Sequence, residues 1–250
     1  MAEVIDKLTE FVKVRGFARY PKEACGLIYS DAIGRPVIVE CKNVSDEPEN
    51  QFLIDPNEYL EVEKKGQIVG CWHTHCDIPP HASEADKQGC INTQVPWFIG
   101  SVTMKDGEKV FEGLNEVRPD NGYKAPLIGR PYTFGVFDCF SLLRDYYKQE
   151  FDIDLKEVPR TERIWESEPN YMENRAIKEF DLVKVTDGTY KVGDIFLIQT
   201  GRDGADHIAI YLGGDRILHQ MRNRLSRTDM YGGSYWQEHT LSHWRHKTKC

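Results

Sequence analysis

The chain has 250 residues, 40% of them hydrophobic, which allows one large domain or two small ones with sizeable cores. Acidic residues outnumber basic ones by 40 to 32, a net charge of −8, and no lysine/arginine run is interleaved with aromatics, which argues against binding nucleic acid through a basic face. Seven cysteines, an odd number without a C-x-x-C pair, point to a reducing compartment and away from a disulfide framework.

The N-terminal stretch MAEVIDKLTEFVKVRG is charged throughout and lacks the apolar core of a signal peptide; Val4, Ile5, Leu8, Phe11 and Val12 recur at helical spacing and predict a helix over 4–14. No uninterrupted apolar run is long enough to cross a bilayer, so folding in the cytosol that makes the chain, without membrane insertion, is expected. ACGLIYS (24–30) and RPVIVEC (35–41) read as strands around a Gly-containing turn. In DPNEYLEVEKKG (55–66), Asp55 has the place of an N-cap, Pro56 of the first helical position and Gly66 of the end. QIVGCWHTH (67–75) reads as a strand, SEADKQGCINT (83–93) as a helix, and PWFIGSVTM (96–104) and EKVFEGL (108–114) as two strands about a Lys-Asp-Gly turn. This makes one α+β domain over 1–115. A Pro- and Gly-rich stretch without periodicity follows, and 116–130 is the expected linker. The second domain, 131–250, is again α+β but starts with its helix, DCFSLLRDYYKQEF (138–151). A polar middle follows, then the strands GDIFLIQT (193–200), HIAIYLGG (207–214) and RILHQM (216–221). The basic end, LSHWRHKTKC (241–250), reads as a solvated tail.

His73 and His75 end a predicted strand on one face, where two imidazoles can share an ion. On the helix that follows, Ser83 and Asp86 are three apart and share a face. Asp86 can complete a His-His-Asp set with a fourth position left for water, the pattern of a catalytic zinc that lowers the pKa of its water toward about 7. The base this chemistry needs is sought in Glu23, just before a strand that could run beside the histidine strand. Ordinary readings exist as well: His-x-His is common, and Ser-x-x-Asp is nearly a capping box, with Ser83 a mere cap. Together the residues resemble the JAMM (JAB/MPN) metallopeptidase motif, an upstream Glu followed by H-x-H-x7-S-x2-D, matched by Glu23, His73, His75, Ser83 and Asp86 in every element. The resemblance spans roughly 1–115. It implies an α/β sandwich in which His73, His75 and Asp86 bind Zn2+, Glu23 is the general base and Ser83 steadies the tetrahedral intermediate of isopeptide or peptide cleavage. Where many members have Pro-Gly after the second histidine, this chain has Cys76-Asp77, which makes Cys76 a candidate fifth ligand or oxidation target. His81 lies outside the motif and reads as a loop residue.

Cys139 stands at a predicted helix start, where the N-terminus favours the reactive thiolate. A cysteine nucleophile needs a base, which His207 on one predicted strand can supply. His219 on the next strand can orient His207 if the two form a hairpin. The ordinary alternative is a small buried cysteine with the histidines on a polar edge. The segments resemble the NlpC-type cysteine peptidases: aromatic-x-x-Gly, Asp-Cys-Ser-Gly-Leu, His-x-x-Ile-Tyr-Leu-Gly, then a polar third residue. Tyr132, Gly135, Asp138 and Cys139 fit the first part, and His207 and His219 the rest; Phe140-Ser141 replaces the usual Ser-Gly. This resemblance, over roughly 125–250, implies a papain-like α+β domain with Cys139 as nucleophile, His207 as base and His219 as third residue. Its reaction would be cleavage of cell-wall peptides at the γ-D-glutamyl–diaminopimelate bond. Tyr132 is the candidate hydroxyl donor to the oxyanion.

The two domains in this order resemble the tail tip assembly proteins of lambda-like siphophages over nearly the whole chain. That implies a factor present in the host cytoplasm during assembly, other phage tail tip proteins as partners and bacterial peptidoglycan as substrate. Whether the protein stays at the virion tail tip is left open. Three readings stand side by side: two hydrolase sites; a wall hydrolase whose JAMM domain is a zinc-stabilised docking module; and a structural tail-assembly factor with vestigial sites.

Overall fold

The computed structural model describes residues 2–249 apart from 159, 162–163, 165–167 and 169. The chain divides into two compact units, residues 1–124 and 125–250, and both mix helix and sheet. No helix among the described residues is long and apolar enough to cross a membrane.

In the first unit, α1 (Ala2–Arg19) is followed by β1 (Cys25–Ser30), β2 (Pro36–Cys41), α2 (Pro56–Glu63), β3 (Gln67–Cys76), α3 (Glu84–Thr93), β4 (Trp97–Lys105) and β5 (Glu108–Val117). The five strands form one sheet in the order β2-β1-β3-β4-β5. Only β3 and β4 pair in parallel, which demands a crossover, and α3 is that crossover. Alternation along β3 sends Trp72 into a core with Leu8 and Val12 of α1. Cys71 goes to the other face, with Val62 of α2, Cys90 of α3 and Trp97. The sheet is therefore covered by α1 on one side and by α2 and α3 on the other. Gly89 lets α3 lie close, because a Cβ there would run into the Trp97 indole. Asp55 caps α2 by accepting from the Asn57 N–H, with Pro56 behind it, and the helix closes at Lys64, short of Gly66.

The second unit opens with α4 (Cys139–Phe151) and a π-helical turn, Met172–Ala176, continued by Ile177–Glu179. The strands are β6 (Leu182–Lys184), β7 (Ile195–Ile198), β8 (His207–Gly213), β9 (Arg216–His219), β10 (Arg227–Met230) and β11 (Thr240–His246), with a helical turn, Tyr235–Glu238, before the last. They form one antiparallel sheet in the order β10-β9-β8-β7-β11-β6. Phe140, Leu143 and Tyr147 of α4 pack with Ile208 and Ile210 of β8. The other face carries Phe196, Ala209, Ile217 and Tyr231, with the Phe196 and Tyr231 rings stacked at 4.1 Å.

Two expectations change. The basic C-terminal stretch is no solvated tail: β11 lies inside the sheet between β7 and β6, and Arg245 is buried. Its Nε and Nη2 donate to the two oxygens of Asp194, each at 2.7 Å, and His243 Nε2 donates to the same carboxylate at 2.7 Å. Charge that read as surface is matched by a buried acid some fifty positions earlier. The expected linker is also shorter than 116–130. Glu116 and Val117 end β5, and Arg130 is buried in the second unit, with Nη1 2.7 Å from Asp145.

Breaking the Asp194–Arg245 pair leaves a charge buried and unmatched. Arg245→Met is expected to destabilise the second unit by about 3–5 kcal/mol, read from the shift of its urea transition. Burial pushes the Asp194 carboxyl up, but the hydrogen bonds from Arg245 and His243 outweigh it and hold the group at about 2. A depressed carboxyl contributes stability that is fully present above its unfolded value near 3.9 and is lost as pH falls through about 2. The urea midpoint should fall over that window in the wild type and less in Asp194→Asn.

Candidate functional site

The first cluster forms where β3 meets the start of α3. His73 and His75 share the face that α3 covers, and α3 brings in Asp86. His73 Nε2 lies 3.2 Å from His75 Nε2 and 3.2 Å from Asp86 Oδ1, and His75 Nε2 lies 3.3 Å from Asp86 Oδ2. All three side chains are buried, and among the described residues they are the group whose His, Cys, Asp or Glu donors converge. Taking one donor atom from each residue, the three lie within 4.8 Å of one another, close enough for one ion to reach all of them. His75 Nδ1 meets the Pro79 carbonyl at 3.1 Å and donates to it, which leaves Nε2 a lone pair. His73 is held by rings, stacked on Phe52 at 4.5 Å and edge-on to Trp97 at 5.9 Å. Burial lowers the pKa of His73, keeping it neutral as a ligand must be. Burial pushes Asp86 up, but the two imidazoles hold it well below the carboxylate range. The set could hold a divalent metal ion.

Glu23 precedes β1, which runs antiparallel to β3 with Cys25 opposite His73. It is 5% exposed, and burial raises its carboxyl to about 8 against a smaller pull from His75. Such a carboxyl can trade protons near neutral pH. Its backbone is pinned on both sides: the N–H donates to the Pro48 carbonyl at 2.7 Å, and its carbonyl accepts from Asn43 Nδ2 at 3.0 Å. Ser83 is a cap. Its Oγ accepts the Asp86 N–H at 3.1 Å, and Asp86 Oδ2 accepts the Ser83 N–H at 2.7 Å, a complete capping box. Capping and site building coincide here, since the box orients Asp86. Cys76 stands outside the converging donors, and burial followed by the Glu23 charge pushes its thiol up to about 12, far from a thiolate ligand. His81 is exposed in the loop.

The second cluster lines a cleft of about 310 Å3 with Tyr132, Asp138, Cys139, Arg160, His207 and Gln220 among its walls. Cys139 opens α4, and Asp138 caps it: Oδ1 accepts the Ser141 N–H at 2.9 Å while Ser141 Oγ accepts the Asp138 N–H at 2.8 Å. The unusual Phe140-Ser141 pair is thereby explained, with Ser141 closing the box and Phe140 buried in the core. Gly135, at φ +78°, donates its N–H to Asp138 Oδ2 at 2.9 Å. Arg160 Nη2 donates to both Asp138 oxygens, at 2.9 and 2.7 Å. The strands β8 and β9 do form a hairpin, and His207 Nε2 lies 3.1 Å from His219 Nδ1. His219 Nε2 in turn lies 3.1 Å from Asp229 Oδ2 on β10. Burial, helped by the Asp138 charge, pushes the Cys139 thiol up to about 12; burial and then His219 push His207 down to about 3. Desolvation thus opposes the thiolate that the helix start favours, and opposes the imidazolium as well. Arg160 and Asp229 escaped the sequence reading. Arg160 sits in the polar middle without periodicity, and Asp229 on a four-residue strand, RTDM, whose alternating Arg227 and Asp229 were the faint signal.

Residues 8–112 match the prokaryotic homologs of the JAB domain, and residues 129–245 match the NlpC/P60 family. Tail tip assembly protein K of Escherichia phage N15 is 31% identical over 249 residues, spanning 96% of this chain and 95% of the relative. The chain belongs to the tail tip assembly protein K family. The K protein of Escherichia phage lambda is 30% identical over 196 residues, 78% of this chain and 89% of its own. Among solved structures, a protein of the NLP/P60 family described as similar to a lipoprotein, from Staphylococcus aureus, is 22% identical and covers 48% of this chain and 37% of its own, with a TM-score of 0.35. In this K-family chain, His73, His75 and Asp86 fall inside the JAB match, and Cys139, His207 and His219 inside the NlpC/P60 match.

Ser83→Ala removes the side-chain half of the α3 capping box. The first unit is expected to lose about 1 kcal/mol for it, measured by urea unfolding of metal-free protein.

Proposed function

We propose that this chain is a phage tail tip assembly factor with two hydrolase sites, a thiol peptidase site for peptidoglycan peptides and a JAMM-type zinc site. The observation that carries the reading is the pair of assembled clusters: Cys139 and His207 in one cleft with His219 behind, and His73, His75 and Asp86 converging near the buried Glu23. The relationship to the N15 protein over 96% of the chain supports the tail-tip role, with other tail proteins as partners during assembly in the host cytoplasm.

At the thiol site, His207 Nδ1 takes the proton of Cys139 as Sγ attacks the scissile carbonyl carbon, and the carbonyl electron pair moves onto oxygen. The Tyr132 hydroxyl, in the same cleft, is the candidate donor to that oxyanion. The imidazolium passes its proton to the leaving nitrogen and the amide bond breaks, leaving a thioester. Water then hydrolyses the thioester, with His207 again taking a proton. His219 accepts from His207 Nε2–H throughout and holds the ring. The proposed bond is the γ-D-glutamyl–diaminopimelate link of peptidoglycan.

In the first domain, His73, His75 and Asp86 would hold zinc, Glu23 would accept a proton from water, and Ser83 would keep Asp86 aimed while its hydroxyl steadies a tetrahedral intermediate. Zinc, when bound, would acidify water and polarise a carbonyl. A second reading draws on the capping box: because Asp86 also caps α3, a bound ion would brace the fold and suit a docking module.

Protein purified without added metal is expected to carry about one zinc per chain by elemental analysis, and Asp86→Ala to lose it; full retention would overturn the ligand set. Glu23→Gln should keep zinc and stop processing of a tail-protein substrate, because an amide cannot take the proton. Equal processing by both would favour the docking module.

Digestion of purified peptidoglycan, read by mass spectrometry, should stop in Cys139→Ala and in His207→Ala, with the double variant no worse than either. His219→Ala should retain a measurable fraction. Wall cleavage sensitive to a chelator but unchanged in Cys139→Ala would move the activity to the first domain.

A further inference from the structure

Asp229 lies in neither motif, yet it ends the line of hydrogen-bonded groups that starts at His207 in the cleft of Cys139. We infer that Asp229 is a positioning residue for the thiol site: by accepting the Nε2 proton of His219 it fixes the tautomer of both histidines and leaves His207 Nδ1 bare for the thiol proton. The inference rests on the peptidase reading of that site.

An ionised carboxylate only accepts hydrogen bonds. His219 Nε2, 3.1 Å from Asp229 Oδ2, therefore carries its ring proton there. A neutral imidazole has a single N–H, so His219 Nδ1 is an acceptor. Burial lowers the pKa of His219, with Asp229 opposing, and the ring stays neutral. His207 Nε2, 3.1 Å from that Nδ1, must then be the donor. Being neutral too, His207 has its lone pair on Nδ1, the ring nitrogen not engaged by His219. In the opposite tautomer, Nδ1 would carry the proton and could not take another.

The surroundings keep Asp229 in this role. Arg227 Nη2 donates to the same Oδ2 at 2.8 Å and the Trp236 indole N–H at 3.2 Å. With three donors on one oxygen, that position has to be an acceptor. Trp236 also closes over His219, with ring centroids 4.3 Å apart and planes at 62°. The β9–β10 register sets Arg227 opposite His219, so Asp229, two residues on, reaches the ring diagonally.

Two-bond 1H–15N spectra of the full chain labelled with 15N-histidine report which ring nitrogen is protonated, with His207→Ala and His219→Ala assigning the signals. Both rings of the wild type are expected to carry the proton on Nε2. Asp229→Ala should shift part of both rings to Nδ1–H. It should also lower kcat on soluble muropeptides by about 10- to 100-fold at unchanged KM, the scale of losing a partner one step behind the reacting group. Asp229→Asn still offers an oxygen to the three donors and should keep the tautomers, with a rate between the two. A proton on Nδ1 of His219 in the wild type overturns the inference even if no variant folds, and so does an Asp229→Ala chain with wild-type spectra and rate. Expected tautomers in a protein that cleaves no muropeptide would sustain the role of Asp229 while sinking the peptidase reading.

Discussion

The capping box at the start of α3 decides where Asp86 stands. Ser83 and Asp86 satisfy each other's backbone N–H groups, so the first turn of the helix cannot rotate without losing two hydrogen bonds. Because α3 is the crossover between parallel β3 and β4, that turn is delivered to the end of the strand carrying His73 and His75. The second unit uses the same device. Asp138 and Ser141 lock the first turn of α4, and Cys139 is the first residue after the cap. Each site is thus a capped helix start held against a strand, and positional precision comes from backbone groups that have nowhere else to bond.

Burial then sets the protonation states. Glu23 is raised to about 8 because little around it pays for its charge. Asp86, equally enclosed, stays ionised because two imidazoles face it. Cys139 and His207 are both driven to their neutral forms. Asp138 adjoins the thiol with a negative charge, but Arg160 engages both of its oxygens and limits what reaches the sulfur. The helix N-terminus alone would favour a thiolate, and desolvation outweighs it.

Most of the fold was readable along the chain, since α3 and α4 have clear caps and β3, β8 and β9 are short apolar runs bounded by polar or glycine residues. Readability failed where partners are remote in sequence. LSHWRH looks like a wet tail because nothing local shows that Asp194 will neutralise Arg245 inside a sheet. Arg160 carries no periodicity, and RTDM is too short to announce a strand, so the residues that support the thiol site from behind stayed hidden.

By itself the sequence determined the chemistry available: H-x-H with S-x-x-D at fixed spacing, a cysteine after a capping aspartate, and two histidines twelve apart on adjacent strands. Those are local patterns, dictated by the two-residue period of strands and the first turn of helices. Only the tertiary structure decided that three donors converge within 4.8 Å, that Glu23 is buried near them and that burial pushes the Cys139 thiol up. Only it showed the line running on through His219 to Asp229. The reason is that desolvation and hydrogen-bond direction depend on what surrounds a group in space, and those surroundings are contributed by segments far away along the chain.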